Sequence, residues 1–354
     1  MRENIAFAFG ENIIGWEYVI DFCAVVACFF ISLWLYFRRS KKLLPMIFFQ
    51  IVAVIASLLL SRIIYWYCHM ELYSEIFMLW TDINMGHFFM FGIVAGVYFA
   101  AIAMQFSGLV PDRRELLDAV SPGLAFAMAL FRFSGMFSAA CYGKYNISNK
   151  IFQRLPFAFS ADGRSWNVAA FCLSFLWLLA VCLVLLFCSF RRMGKSGGKG
   201  HRSHKKDSGE IFRLFIILFS LSEVVIDSLR YDASHFFFPG KLLADLNKGT
   251  GFMGLSQLVS AFVMIFIMVG YTVRNNKSSG ADKKKSFRTV ATAWILFLLG
   301  TAVAGICEYL VQRNSSRFAS LYAIMLVGVA TMGAAFLYVE SKQPCAVDKK
   351  NKKE

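Results

Sequence analysis

At 354 residues, 58% hydrophobic and 17% charged, with a mean hydropathy of +0.57, this chain is too apolar for an ordinary soluble domain. Such domains run about 45–50% apolar and ~25% charged. Six prolines and 25 glycines exclude collagen and Pro/Gly-rich disorder. What remains is an all-α polytopic membrane helix bundle.

Nine apolar runs of bilayer-spanning length, about 20 residues, lie at 17–36, 45–67, 87–108, 118–140, 167–190, 211–230, 253–273, 289–309 and 318–339. The fourth and sixth are the least uniform, because each carries charge. The first follows an acidic segment (Glu3, Glu11, Glu17, Asp21) and precedes Phe37-Arg38-Arg39. A secretory signal has the reverse order of charge and a small-residue cleavage site, so this run reads as a retained helix.

Most of the 37 Lys and Arg fall in alternate loops: around Arg38 to Lys42, Arg113 and Arg114, Arg191 to Lys206, Arg274 to Arg288, and the tail from Lys342. That bias places those loops in the cytoplasm, the N-terminus outside and the C-terminus inside. The net charge of +15 is thus topological, and no nucleic-acid partner is expected. The Gly/Ser/Lys-rich stretch 194–208 reads as a flexible cytoplasmic loop, drawn to anionic lipid headgroups.

The nine cysteines sit mostly inside apolar runs, where a thiol behaves as a small hydrophobe. No C-x-x-C or Cys/His metal spacing occurs, so neither zinc, a disulfide framework nor a cofactor is expected. No internal repeat is visible, which weakens a transporter reading.

A charged group inside a span costs roughly 2.5–3.5 kcal/mol on insertion scales and needs a reason. Three regions carry them. Arg62, in Ser61-Arg62-Ile63-Ile64-Tyr65, is either an anion ligand or an interfacial anchor beside aromatics. Arg132, with small residues following at Ser134, Gly135, Ser138, Ala139 and Ala140, is either a phosphate ligand or a packing arginine paired to a carboxylate. Glu223, Asp227 and Arg230, spaced i, i+4, i+7 on one helical face, form either a functional polar stripe or an ion-pair seam between helices. Of the five histidines, His201 and His204 fall in the basic loop. His69, His87 and His235 fall on the outer side, where a histidine is either a base or simply solvated.

These segments, in this order, resemble the prolipoprotein diacylglyceryl transferase family. Phe131-Arg132-Phe133-Ser134-Gly135-Met136-Phe137-Ser138-Ala139-Ala140-Cys141-Tyr142-Gly143 matches that family's signature at Arg132 and Gly143 and shares the Cys-Tyr-Gly ending of its divergent members. Ser61-Arg62-Ile63-Ile64-Tyr65 resembles A-R-x-x-Y, and Glu75-Ile76-Phe77 resembles E-I-F. Asp118 to Gly123 resembles the D-x-x-A-P segment, Asp227 to Asp232 resembles E-F-x-R-x-D, and Gly254 to Leu258 contains the G-Q-L-like helix start. The resemblance covers about 15–273, seven helices. It departs at Met90, which occupies the family histidine's place three residues from His87. It departs also at Gly135, Ser138 and Ala140, where the family has two asparagines and a glutamate, and at Glu223, where it has an arginine.

The resemblance implies transfer of a diacylglyceryl group from phosphatidylglycerol to the lipobox cysteine thiol of a preprolipoprotein, in a bacterial cell membrane. Arg132 becomes the principal phosphate ligand, with Arg62 or Arg230 in support and Glu223 and Asp227 orienting them. His87 becomes the base, and Tyr65, Ser134, Gly135, Ser138 and Gly143 complete the substrate-binding set. The implied organisation is a transferase-like domain over 1–275, a basic linker over 276–288, two additional spans over 289–339 and a basic tail over 340–354. The rival reading is a relative that binds lipid or lipoprotein without turnover, which the departures favour. A transferase of altered lipid or acceptor stands between the two.

Overall fold

The computed structural model describes residues 6–9, 12–40, 42–68, 88–137, 143–148, 150–154, 158–160, 165–196, 209–230, 254–278, 283–313 and 317–342. Nine long helices stand among them: α1 (Trp16–Ser40), α2 (Leu44–Cys68), α3 (Met90–Phe106), α4 (Arg113–Ser134), α5 (Ala170–Ser196), α6 (Glu210–Leu229), α7 (Leu255–Ser278), α8 (Lys283–Arg313) and α9 (Phe318–Lys342). The chain is an all-α bundle, and seven of these helices are long and apolar enough to cross a membrane. The other two are α3, which is short, and α6, which carries Glu210, Arg213, Glu223 and Asp227. Phe22, Phe30, Phe187, Phe266 and Leu298 point outward from the bundle. A soluble surface seldom carries such a belt, and a bilayer accepts it.

The fourth span starts earlier than its apolar run. Asp112 accepts the amide of Arg114 (2.9 Å) and caps α4, so helix begins at Arg113 rather than near 118. At the far end the chain tightens into a 3-10 turn, Gly135–Phe137. The eighth span is also longer than its apolar run. Helix covers most of the stretch read as a basic linker, because α7 runs to Ser278 and α8 starts at Lys283.

Helix α4 is the axle of the bundle, packing against α1, α3, α5 and α6. Two pairs of helices approach closely through missing side chains. A Cβ on Gly123 of α4 would fall 2.6 Å from Ser32 Oγ and 2.9 Å from the Cys28 carbonyl oxygen of α1. On α3, a Cβ on Gly92 or Gly96 would fall 2.4 Å from the Cα of Ser61 or Ser57 of α2. This small-xxx-small stripe lets the two backbones touch, and Ser57 Oγ donates to the Ile93 carbonyl (2.9 Å) across the seam. Thus α1 is fixed to α4 and α2 to α3, while α1 and α2 hardly touch one another. A second apolar cluster joins α6, α7, α8 and α9.

Asp118, one turn into α4, accepts the amides of Gly209 (2.8 Å) and Phe212 (2.9 Å) at the start of α6. It supplies the cap that α6 lacks, since Gly209 has no side chain and sits at φ 92°. At the opposite end of the bundle a small β cap forms. Strands β1 (Phe7–Phe9) and β2 (Asn12–Ile14) make one hairpin, and β3 (Ala158–Phe159) pairs with β4 (Asn167–Val168).

Candidate functional site

Arg132 and Glu223 meet inside the bundle, near the end away from the basic loops. One guanidinium nitrogen of Arg132, Nη2, donates to both carboxylate oxygens of Glu223, at 2.8 and 3.0 Å. Arg132 is 4% exposed and Glu223 is fully buried. Removing two charges from water is affordable only with this geometry. The pair neutralises itself, yet Arg132 Nε is buried without a hydrogen-bond partner among the described residues.

Arg62 is also buried, and its guanidinium lies 5.3 Å from the centre of the Phe88 ring. Phe88 in turn lies 6.2 Å, centroid to centroid, from Phe131. A short ladder therefore runs from Arg62 of α2, through Phe88 at the entry to α3, to the residue before Arg132 on α4. Tyr65 is buried one turn beyond Arg62 on the same face of α2.

Beneath this ladder is a cavity of about 260 Å³ between α1 and α2, with walls that include Asp21, Ser61, Phe88 and Phe131. The lining is almost wholly apolar, but the arginine side chains themselves do not line it. Phe22, Val25, Val54 and Leu58 stand at its open side and are exposed. The gap between α1 and α2 thus opens laterally, toward lipid. Asp21 forms part of the rim, where its carboxylate accepts the Ser134 hydroxyl (2.7 Å). Sequence reasoning noticed Asp21 only as part of the acidic leader. Its place in the second turn of an apolar helix was the available signal, because a carboxylate within a span is a functional-site hypothesis by default.

The other predicted residues gather on one side. Asp227 is buried one turn from Glu223 on α6. Arg230 ends that helix in extended backbone, about 10 Å along the axis from Glu223. Gly143 bridges to Arg230 and donates its amide to the Val168 carbonyl (2.8 Å), and Lys144 donates to the Leu229 carbonyl (2.9 Å). A Cβ on Gly143 would sit 2.5 Å from that Val168 oxygen, so only glycine passes there. The two motifs carrying Gly143 and Arg230 therefore meet at one seam. Gly135 is buried in the 3-10 turn beside Ser134. His87 and Ser138 lie outside the described residues. Gln257 locks α7 to α6: its amide donates to the Val224 carbonyl (2.9 Å), and its oxygen accepts the Gly254 amide (3.0 Å).

Among the described residues no cluster of His, Cys, Asp and Glu could hold a metal ion. What the arrangement offers is cationic and aromatic: the buried Arg62 guanidinium over a ring that lines an apolar chamber open to lipid, and a second buried guanidinium, that of Arg132, held by Glu223. A planar guanidinium suits phosphate oxygens, and an apolar chamber suits acyl chains.

Comparison with known proteins adds two findings. The model of the family described as prolipoprotein diacylglyceryl transferase matches residues 4–274. A protein of Frankia alni, named phosphatidylglycerol–prolipoprotein diacylglyceryl transferase, is 27% identical over 124 residues, which cover 33% of this chain. The match spans 28% of that relative's own length. The family match covers all the segments described above, from α1 through most of α7, and leaves α8 and α9 outside. This chain belongs to the prolipoprotein diacylglyceryl transferase family.

Proposed function

We propose that this protein transfers a diacylglyceryl group from phosphatidylglycerol to the lipobox cysteine of a preprolipoprotein, in a bacterial cell membrane with its basic loops cytoplasmic. The observation that carries this reading is the laterally open chamber between α1 and α2, bordered by the Arg62–Phe88–Phe131 ladder that ends beside Arg132. Acyl chains enter that chamber from the bilayer. The phosphate lies above it, toward Arg62, Arg132 and Arg230.

The chemistry is a displacement. The substrate thiol gives up its proton to a base, its sulfur bonds to the glyceride carbon, and the carbon–oxygen bond to phosphate breaks. Glycerol phosphate leaves with the bonding electrons. A thiol of ordinary pKa near 8.5 is mostly protonated at neutral pH, so the base matters; His87 is assigned that role from its position in sequence. Negative charge grows on the departing phosphate, and fixed cations in a dry site stabilise it better than water does. Within this reading Glu223 holds Arg132 in place, and Asp21 with Ser134 fixes the rim between α1 and α4.

One observation favours a second reading. The Arg132 nitrogen that bonds Glu223 is occupied, and the pair is neutral as a unit. A lipid-binding relative without turnover would look the same. Complementation separates the two. In a strain depleted of its own transferase, this protein should restore growth and thioether-linked diacylglycerol on preprolipoproteins, and Arg62→Ala should not. Normal membrane insertion of the wild-type protein without any lipid on the acceptor would select the inactive relative.

A further inference from the structure

The basic end of the bundle contains a second hollow, of about 570 Å³, that the transfer reaction does not use. Four arginines line it: Arg113 and Arg114 from the start of α4, Arg213 from the first turn of α6 and Arg274 near the end of α7. Three helices thus contribute arginines to the wall of one space. The carboxylate in its wall is Glu210, already paired with Arg192, which lies outside the hollow. Among the described residues none of the four arginines forms an ion pair.

Like charges gathered this way repel, and a lone cluster costs the fold energy unless an anion joins it. Two of the four are held by aromatic faces rather than carboxylates. Arg113 lies 5.6 Å from the centre of the Tyr98 ring, and Arg213 lies 5.1 Å from that of Tyr271. Stacking of this kind orients a guanidinium while leaving its N–H edge free to bind oxygens in a fork. Two amides at the start of α6, those of Gly209 and Phe212, are already taken by Asp118. The four arginines are the main source of positive charge for an anion here.

We propose that this hollow is a phosphate-binding site, separate from the transferase centre, that holds the anionic headgroup of a phospholipid in the leaflet at the basic end. Tyr98, which forms part of its wall, is itself exposed on α3, next to the outward-facing Phe99. The hollow is therefore continuous with the apolar flank of the bundle, and a ligand with acyl chains fits it better than a soluble anion does. A basic pocket between transmembrane helices at this level is a recognised setting for headgroups.

The test uses the full chain in phosphatidylcholine nanodiscs, titrated in one arm with phosphatidic acid and in another with inorganic phosphate. Phosphatidic acid carries phosphate and acyl chains but lacks the headgroup glycerol that departs with phosphate in the transfer. Lipid adducts are counted by native mass spectrometry, and phosphate binding is read by calorimetry. Wild type and Arg62→Gln should bind phosphatidic acid alike at this site. Arg213→Gln combined with Arg274→Gln should bind about tenfold more weakly or worse, as expected when charge-assisted bonds are lost. Arg274→Gln alone, at an exposed position, should weaken binding in the same direction and guards against a folding defect in the pair. Binding of phosphatidic acid with none of inorganic phosphate supports the lipid source. Equally tight binding of inorganic phosphate keeps the phosphate site but overturns its lipid occupant. Unchanged affinity for both probes in both variants overturns the site.

Discussion

The pairing of Arg132 with Glu223 decides how any substitution at either residue is read. Arg132→Ala alone leaves a fully buried carboxylate without its cation, a loss of about 3–5 kcal/mol. Denaturant unfolding in detergent should register that loss whether or not Arg132 touches substrate. Replacing both partners with leucine removes the buried charge altogether and should leave stability unchanged or raised. The double variant therefore separates packing from chemistry. If it is as stable as wild type and still transfers lipid, Arg132 is a structural arginine. Each residue was legible in the sequence as a charge inside a span. A carboxylate partner for Arg132, and Glu223 as a residue orienting the arginines, were among the readings. Which of the two acids meets which arginine was not legible, because hydropathy sets the existence of a helix but not its rotation or its depth against a neighbour. Glu223, where the resemblance implies an arginine, instead faces Arg132 and neutralises it.

At the scale of elements, apolar length read the helices well where composition was uniform. Helices α2 and α9 fall within a few residues of their apolar runs. Errors collect where polar chemistry sets the boundary, as Asp112 does at the start of α4. The D-x-x-A-P-like segment acquires a role of this kind: Asp118 caps α6 from another helix, and it was read from sequence only as part of a motif. Asp118→Ala should cost about 0.5–2 kcal/mol, in line with loss of a helix cap. Hydrogen exchange should quicken at the amides of Gly209 and Phe212, with little change at the opposite end of α6. Unaltered protection of those two amides would mean that the capping is dispensable.

For the molecule as a whole, the added α8–α9 hairpin is more than an appendage. Its second helix packs on α6, Tyr322 shares a hydrogen bond with Ser228, and Phe318 stacks on Tyr145, beside the β cap, at 5.0 Å between centroids. Those contacts grip the segment that carries Asp227, Arg230 and Gly143. Removing residues 283–354 should lower the thermal midpoint and loosen the seam between Gly143 and Arg230, seen as faster exchange of the Gly143 and Lys144 amides. An unshifted midpoint would make the hairpin energetically independent. Sequence reading located these two helices but could not show what they hold, since the contacts join residues far apart in the chain.

The transfer itself is tested most directly with purified protein in phosphatidylglycerol nanodiscs and a synthetic lipobox peptide, following both products by mass spectrometry. Equimolar diacylglyceryl-thioether peptide and glycerol phosphate are expected from the wild type, and neither from Arg62→Ala. A folded wild-type protein that binds the lipid yet releases no glycerol phosphate would contradict a transferase.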